Sequence, residues 1–315
     1  MMCCARSSTA CCRLDDVSAA VRNNLLLPSA LAALGTLELV ARSAVEGFFH
    51  GLHRSRRFGF SQEFAEYRAY AEGDDPRHVD WNVYARTDRT YIRRYEGETN
   101  TRLLVALDAS ASMGYGSGPV TKLRYAQFLA AALGYMATQQ HDPVGLMVFD
   151  RQLRSWLPPS SRAGSLGALL HALDAVQPGE STDIQTALQP LAGHYSQRGL
   201  VALISDLYCD PEALTRAVRP LAQRGHDVMV FQVLDRQEMQ PDWTESVMLQ
   251  DLESGEQREV SPDYLSKVYP ARLQAHLESL RAAVAVTGAQ HTVVVTDERL
   301  DQALRRYLQL RQRRG

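Results

Sequence analysis

The sequence predicts an α/β fold: a doubly wound, mostly parallel sheet preceded by a small N-terminal annex of helix and short strands. Three observations carry this. From residue 101 onward, short aliphatic runs alternate with longer stretches of helical periodicity, the pattern of strands joined by covering helices. Those runs (103–107, 144–149, 200–205 and 228–234) are continuous rather than alternating, as strands buried on both faces require. Residues 52–100, by contrast, are rich in Arg, Asp and aromatics and poor in aliphatics, which fits short strands and turns better than a helix.

Taken in order, residues 1–20 read as a disordered tail that holds four of the five cysteines, Cys3, Cys4, Cys11 and Cys12. Four thiolates could hold one zinc ion, but adjacent Cys-Cys pairs lack the usual spacing and no His is near, so a loose terminus is expected. The next block, 21–100, contains one helix over 28–51, with Leu31, Leu34, Leu37, Leu39, Val40, Val45 and Phe49 at helical spacing, followed by the annex. The main domain, 101–297, places helices at 123–139, 163–173, 184–191, 211–223 and 263–286. An antiparallel neighbour at 151–157, a hairpin at 247–252 and 258–260 across Ser254-Gly255, and a strand at 291–295 complete it. A C-terminal helix occupies 298–315.

Composition excludes several classes. With 315 residues, 45% hydrophobic and 22% charged, the chain can bury a sizeable core without disulfide or metal staples. A net charge of −2 argues against a surface built for polyanions. The cluster His53, Arg54, Arg56 and Arg57 reads as a solvated face, so nucleic acid is not an expected partner. No apolar run approaches the roughly 20 residues of a membrane-spanning helix, and the N-terminus lacks the apolar core of a signal peptide. Neither membrane insertion nor export is expected, and the expected location is the cytoplasm.

Ligands of open parallel sheets bind beyond the carboxyl ends of the strands. There the first central strand ends in Asp108, followed by Ser110 and Ser112 at alternate positions. The third ends in Asp206, and the loop QPGESTDIQTAL brings Thr182, with Ser181 as its competitor, to the mouth of a helix. Asp-x-Ser-x-Ser alone arises by chance in about one such chain in ten, and Asp, Ser and Thr also cap helices. Its placement together with Thr182 and Asp206 favours an all-oxygen site for Mg²⁺ or Mn²⁺. Hydroxyl ligands leave such an ion under-neutralised, so a partner's Asp or Glu could complete its shell. The direct ligands expected are Ser110, Ser112 and Thr182, with Asp108 and Asp206 binding directly or through water.

This pattern resembles a von Willebrand factor type A (vWA) domain over residues 101–297, whose metal-dependent adhesion site reads Asp-x-Ser-x-Ser, then Thr, then Asp. The segment SQEFAEYRAYAEGDDPRHVDWNVYARTDRTYIRRYEGE closely resembles the signature of the bacterial family called domain of unknown function 58 (DUF58). The resemblance implies a Rossmann-type, vWA-like fold and a non-enzymatic interaction module. It further implies that the module serves a MoxR-type AAA+ ATPase as adaptor or chaperone partner, in complex assembly or metal-centre insertion. Many members carry transmembrane helices near the N-terminus; none is read here.

In the annex, Glu63, Glu66, Arg68, Asp74, Asp75, Arg77, Asp80 and Arg86 alternate with Tyr67, Tyr70, Trp81 and Tyr84. These could form a recognition surface, but docking of the annex onto the sheet domain is the expected role. Enzyme motifs are missing. There is no Gly-x-x-x-x-Gly-Lys-Ser/Thr, no Gly-x-Ser-x-Gly and no His-Glu-x-x-His, and GYGSG at 114–118 lacks dinucleotide-loop spacing. One enzyme alternative survives, a Mg²⁺-dependent phosphohydrolase with Asp108 as nucleophile. Ser110 stands where its second acid should be, and Lys122 is the only nearby lysine. A structural scaffold with a vestigial metal site is the remaining rival.

Overall fold

A computed structural model describes residues 27–53, 64–69, 91–95, 101–195 and 197–312. The cysteine-rich tail, the Arg54–Arg57 cluster and most of the annex lie outside these residues. A short helix and a long one open the described chain, α1 (Pro28–Ala32) and α2 (Leu37–His53), followed by an antiparallel pair, β1 (Phe64–Ala69) and β2 (Tyr91–Tyr95).

The centre is a six-stranded sheet of order β10-β7-β6-β3-β4-β5. Its strands are β3 (Arg102–Asp108), β4 (Val144–Phe149), β5 (Leu153–Ser160), β6 (Gly199–Ser205), β7 (Asp227–Leu234) and β10 (Gln290–Val295). All pairings are parallel except β4 with β5. The antiparallel β5 lies at the edge, where Pro158 and Pro159 are tolerated because no further strand needs their missing N–H.

Successive residues of β3 face opposite sides. Leu103, Val105 and Leu107 enter one core with α2, α3 (Lys122–Gln139), α4 (Ser165–Asp174) and α11 (Asp301–Gln312). Leu104 and Ala106 enter the other, with α5 (Ile184–Leu188), α6 (Leu191–His194), α7 (Pro211–Gln223) and α10 (Tyr269–Ala285). The sheet is therefore covered on both faces, as the continuous aliphatic runs require. At roughly 1.5–3 kcal/mol for each fully buried Leu, Val or Phe side chain, these two layers are the main favourable term in folding.

Three expected elements are divided. The first helix breaks at Gly35, whose φ of +79° suits glycine, and restarts where Thr36 Oγ1 accepts from Leu39 N at 3.4 Å. The restart shifts the buried face to Leu37, Val40, Ala41, Ala44, Val45 and Phe48, leaving Leu39 49% exposed. That face packs into the main core, so this helix shares the sheet domain's interior rather than forming a body of its own. The expected helix over 263–286 divides into α9 (Pro262–Lys267) and α10, because Pro270 can occupy only the first turn of a new helix. The stretch 184–191 divides likewise, with Pro190 preceding α6. The small hairpin forms as expected from β8 (Val247–Gln250) and β9 (Gln257–Val260), and α8 (Arg236–Met239) follows β7.

Candidate metal site at the switch point of the sheet

From β3 the chain builds outward in one direction through β4 and β5, then returns to build β6, β7 and β10 on the other side. The crevice between the carboxyl ends of β3 and β6 is thus the topological switch point, where such sheets bind ligands. Asp108 ends β3 and Asp206 follows β6 there, and both are buried, at 0% and 2% exposure. Leu207 takes φ +57°, a costly conformation for a branched residue. Its own burial and a 3.0 Å hydrogen bond from its N–H to Ser205 Oγ hold it.

Thr182 reaches the crevice because its loop is stitched to the end of β3. Gly179 N donates to Ala109 O at 2.7 Å, and Ala111 N donates to Glu180 O at 2.8 Å. A Cβ at position 179 would collide with Asp150 Oδ2 and crowd Arg154, so a larger residue here would have to push those side chains aside. Asp183 then caps α5 by accepting from Thr186 N at 3.0 Å. The cap falls to Asp183, which leaves the Thr182 hydroxyl for the site.

Four of the five expected ligands meet through hydrogen bonds. Asp108 Oδ1 accepts from Ser110 N at 2.9 Å and from Thr182 Oγ1 at 3.2 Å. The Ser110 and Ser112 hydroxyl oxygens lie 3.1 Å apart. Asp206 is held differently: its Oδ2 accepts from Lys122 Nζ at 2.8 Å, and the same ammonium reaches Glu238 Oε1 at 2.8 Å. Lys122 is 1% exposed and lies 4.7 Å from the Tyr208 ring centroid, close enough for cation–π attraction.

Among the described residues Asp108 has no such counter-charge. Its partners among the described residues are hydroxyls and an amide, including Ser205 Oγ, which donates to Oδ2 at 2.6 Å. Burial and the neighbouring Asp206 charge push its pKa up to about 7 despite those donors. Among the described residues no three His, Cys, Asp or Glu side chains gather as a metal-holding group, so any cation here depends on the hydroxyls. A buried carboxylate without a compensating cation, set among serine and threonine oxygens, fits a hard divalent ion.

Sequence reasoning undervalued or missed three residues. Lys122 was visible only as a nearby lysine, Ser205 adjoins Asp206 without any motif, and Glu253 comes from the distant hairpin. Glu253 Oε1 accepts from Ser112 Oγ at 3.0 Å and Oε2 from Thr182 N at 3.1 Å. GYGSG proves to be a packing loop: Gly116 approaches Thr121, which caps α3, and Ser117 N donates to Asp235 Oδ2 at 3.0 Å.

Fold and site together define an α/β protein with an oxygen-rich crevice at the switch point of its sheet. The model of the family "Protein of unknown function DUF58" matches residues 66–279, and the chain belongs to this family. It is 29% identical over 282 residues to an uncharacterized protein of Mycobacterium tuberculosis (Rv1480), covering 88% of each chain. Among solved structures it is similar to the conserved hypothetical protein BatB from Bacteroides thetaiotaomicron. There the identity is 17% over 66% of this chain and 97% of that one, with a TM-score of 0.45. The SpRpn10 VWA domain aligns at 12% identity, over 65% of this chain and 93% of that one, with a TM-score of 0.38. Among the described residues no helix is long and apolar enough to cross a membrane.

Proposed function

We propose that the chain is a non-enzymatic, cation-dependent protein-interaction module. Ser110, Ser112 and Thr182 would hold Mg²⁺ or Mn²⁺, with Asp108 and Asp206 acting directly or through water. The ion would supply a Lewis-acidic position that a partner's Asp or Glu completes. The observation that carries this reading is Asp108, fully buried at the switch point among neutral donors. The sequence resemblance makes a MoxR-type AAA+ ATPase the proposed partner, acting on client proteins in the cytoplasm. The phosphohydrolase alternative has less support, because Asp206 and Glu238 already engage the Lys122 ammonium that would balance a phosphate.

The test is a pull-down of purified MoxR-type ATPase from the same genome, in Mg²⁺ and in chelator, on wild type and Asp108→Ala. Capture that needs both Mg²⁺ and Asp108 is expected. Capture indifferent to chelator and to Asp108 would discard the adhesion mechanism. Metal-dependent phosphatase activity abolished by Asp108→Asn would install the enzyme reading instead.

A further inference from the structure

The β8–β9 hairpin ends in a tight turn. Asp251 Oδ1 accepts from Glu253 N at 2.8 Å and from Ser254 N at 3.2 Å, while Gly255 N donates to Asp251 O at 2.8 Å. Every residue from Asp251 to Glu259 is exposed except Glu253, which turns inward. Its two carboxylate oxygens each take a donor from the crevice, Ser112 Oγ and Thr182 N, residues 141 and 71 positions away. Ser112 Oγ in turn lies 3.1 Å from Ser110 Oγ.

The hydroxyl set thus lies between two carboxylates, Asp108 on the inner side and Glu253 on the outer. Among the described residues neither is ion-paired, because the buried ammonium of Lys122 is engaged by Asp206 and Glu238. Asp108 is fully buried and Glu253 partly so, and the two acids converge on serine and threonine oxygens, the donor set a hard divalent ion prefers. A divalent ion would satisfy both at once. The turn also forms one wall of a cavity of about 530 Å³, which Tyr115, Lys122, Tyr208, Trp243 and Tyr269 help to line.

We propose that Glu253 is the chain's own ligand for the cation, seated in the position that an acidic partner side chain must take. This rests on the cation-site reading above and adds its regulation. A partner would have to present a carboxylate, on a turn of similar shape, and displace the hairpin tip to engage the metal. Partner affinity would then be lowered by the cost of that displacement.

Mn²⁺ alone is a sufficient probe. Its affinity is read by electron paramagnetic resonance, and the number of waters on the bound ion by water-proton relaxation. Wild type, Asp108→Asn, Glu253→Gln and the neighbouring exposed control Glu256→Gln are compared. Glu253→Gln is expected to weaken Mn²⁺ roughly tenfold or more and to add one water to its shell, with Glu256→Gln unchanged. In wild type, Mn²⁺ is expected to slow hydrogen exchange at residues 251–256, a readout that needs no variant. Mn²⁺ binding that requires Asp108 but is unchanged or tighter in Glu253→Gln would overturn this proposal and leave the cation-site reading intact. Absence of Mn²⁺ binding in wild type and Glu253→Gln alike would sink both.

Discussion

Asp108 and Asp206 end neighbouring strands and are almost equally buried, yet the chain treats them differently. Asp206 is matched by the ammonium of Lys122, itself buried and shared with Glu238. Among the described residues Asp108 is given only hydroxyls and an amide. In the first arrangement one cation is shared by two acids, so its removal would leave both unpaired. The second leaves a buried carboxyl, its pKa pushed up to about 7, with no charged partner among the described residues. Burying a carboxylate without a partner is costly, and that cost is the physical ground for the cation-site proposal.

The sharpest way to break this contrast is to remove the ammonium. Lys122→Met leaves Asp206 and Glu238 unpaired and should cost about 3–5 kcal/mol of unfolding free energy, measured in denaturant with chelator present. A loss below about 1 kcal/mol would mean that the pair is not what holds this side of the crevice.

The opposite behaviour is expected one strand away. Asp108→Asn removes an uncompensated charge, so stability in chelator should be unchanged or higher, by on the order of 1 kcal/mol. At 100-fold excess of Mg²⁺ over its Kd, wild type should gain about 2.7 kcal/mol and the variant nothing. A variant that is strongly destabilised in chelator would place Asp108 among the structural groups, beside Asp206.

A third effect concerns the support behind Asp206. Gln232 Nε2 donates to Asp206 O at 3.0 Å, and Gln232 Oε1 lies 3.0 Å from His291 Nε2. The amide orientation makes His291 the donor, leaving its Nδ1 buried and without a partner. Burial, with Arg281 nearby, lowers the His291 pKa to about 4. The fold therefore favours the neutral ring. This contribution is complete above about pH 6.5, the unfolded value, and is lost as pH falls from there towards 4. Thermal unfolding of wild type should show a steeper loss across that window than His291→Gln. Parallel profiles would remove His291 from the network.

Much of this was legible in the chain. Strands β3, β4, β6 and β7 announce themselves because a strand buried on both faces must be aliphatic throughout. Asp108, Ser110 and Ser112 could be read together because they are adjacent in sequence and follow such a strand. The helix breaks at Gly35 and before Pro270 were less visible, since apolar spacing continues across both. Glu253 was not legible at all, for nothing in DLESGE distinguishes the one acid that turns inward from its exposed neighbours.

By itself, then, the sequence determined the layered α/β architecture and which residues stand at the ends of its strands, since both follow from local periodicity and the position of polar residues after apolar runs. Only the tertiary structure decided how charge is distributed among them. Lys122 reaches Asp206 across 84 positions and Glu253 reaches Ser112 across 141. Pairings at that separation depend on where the sheet and hairpin place their backbones. Composition contains the same acids and bases whichever way they are joined.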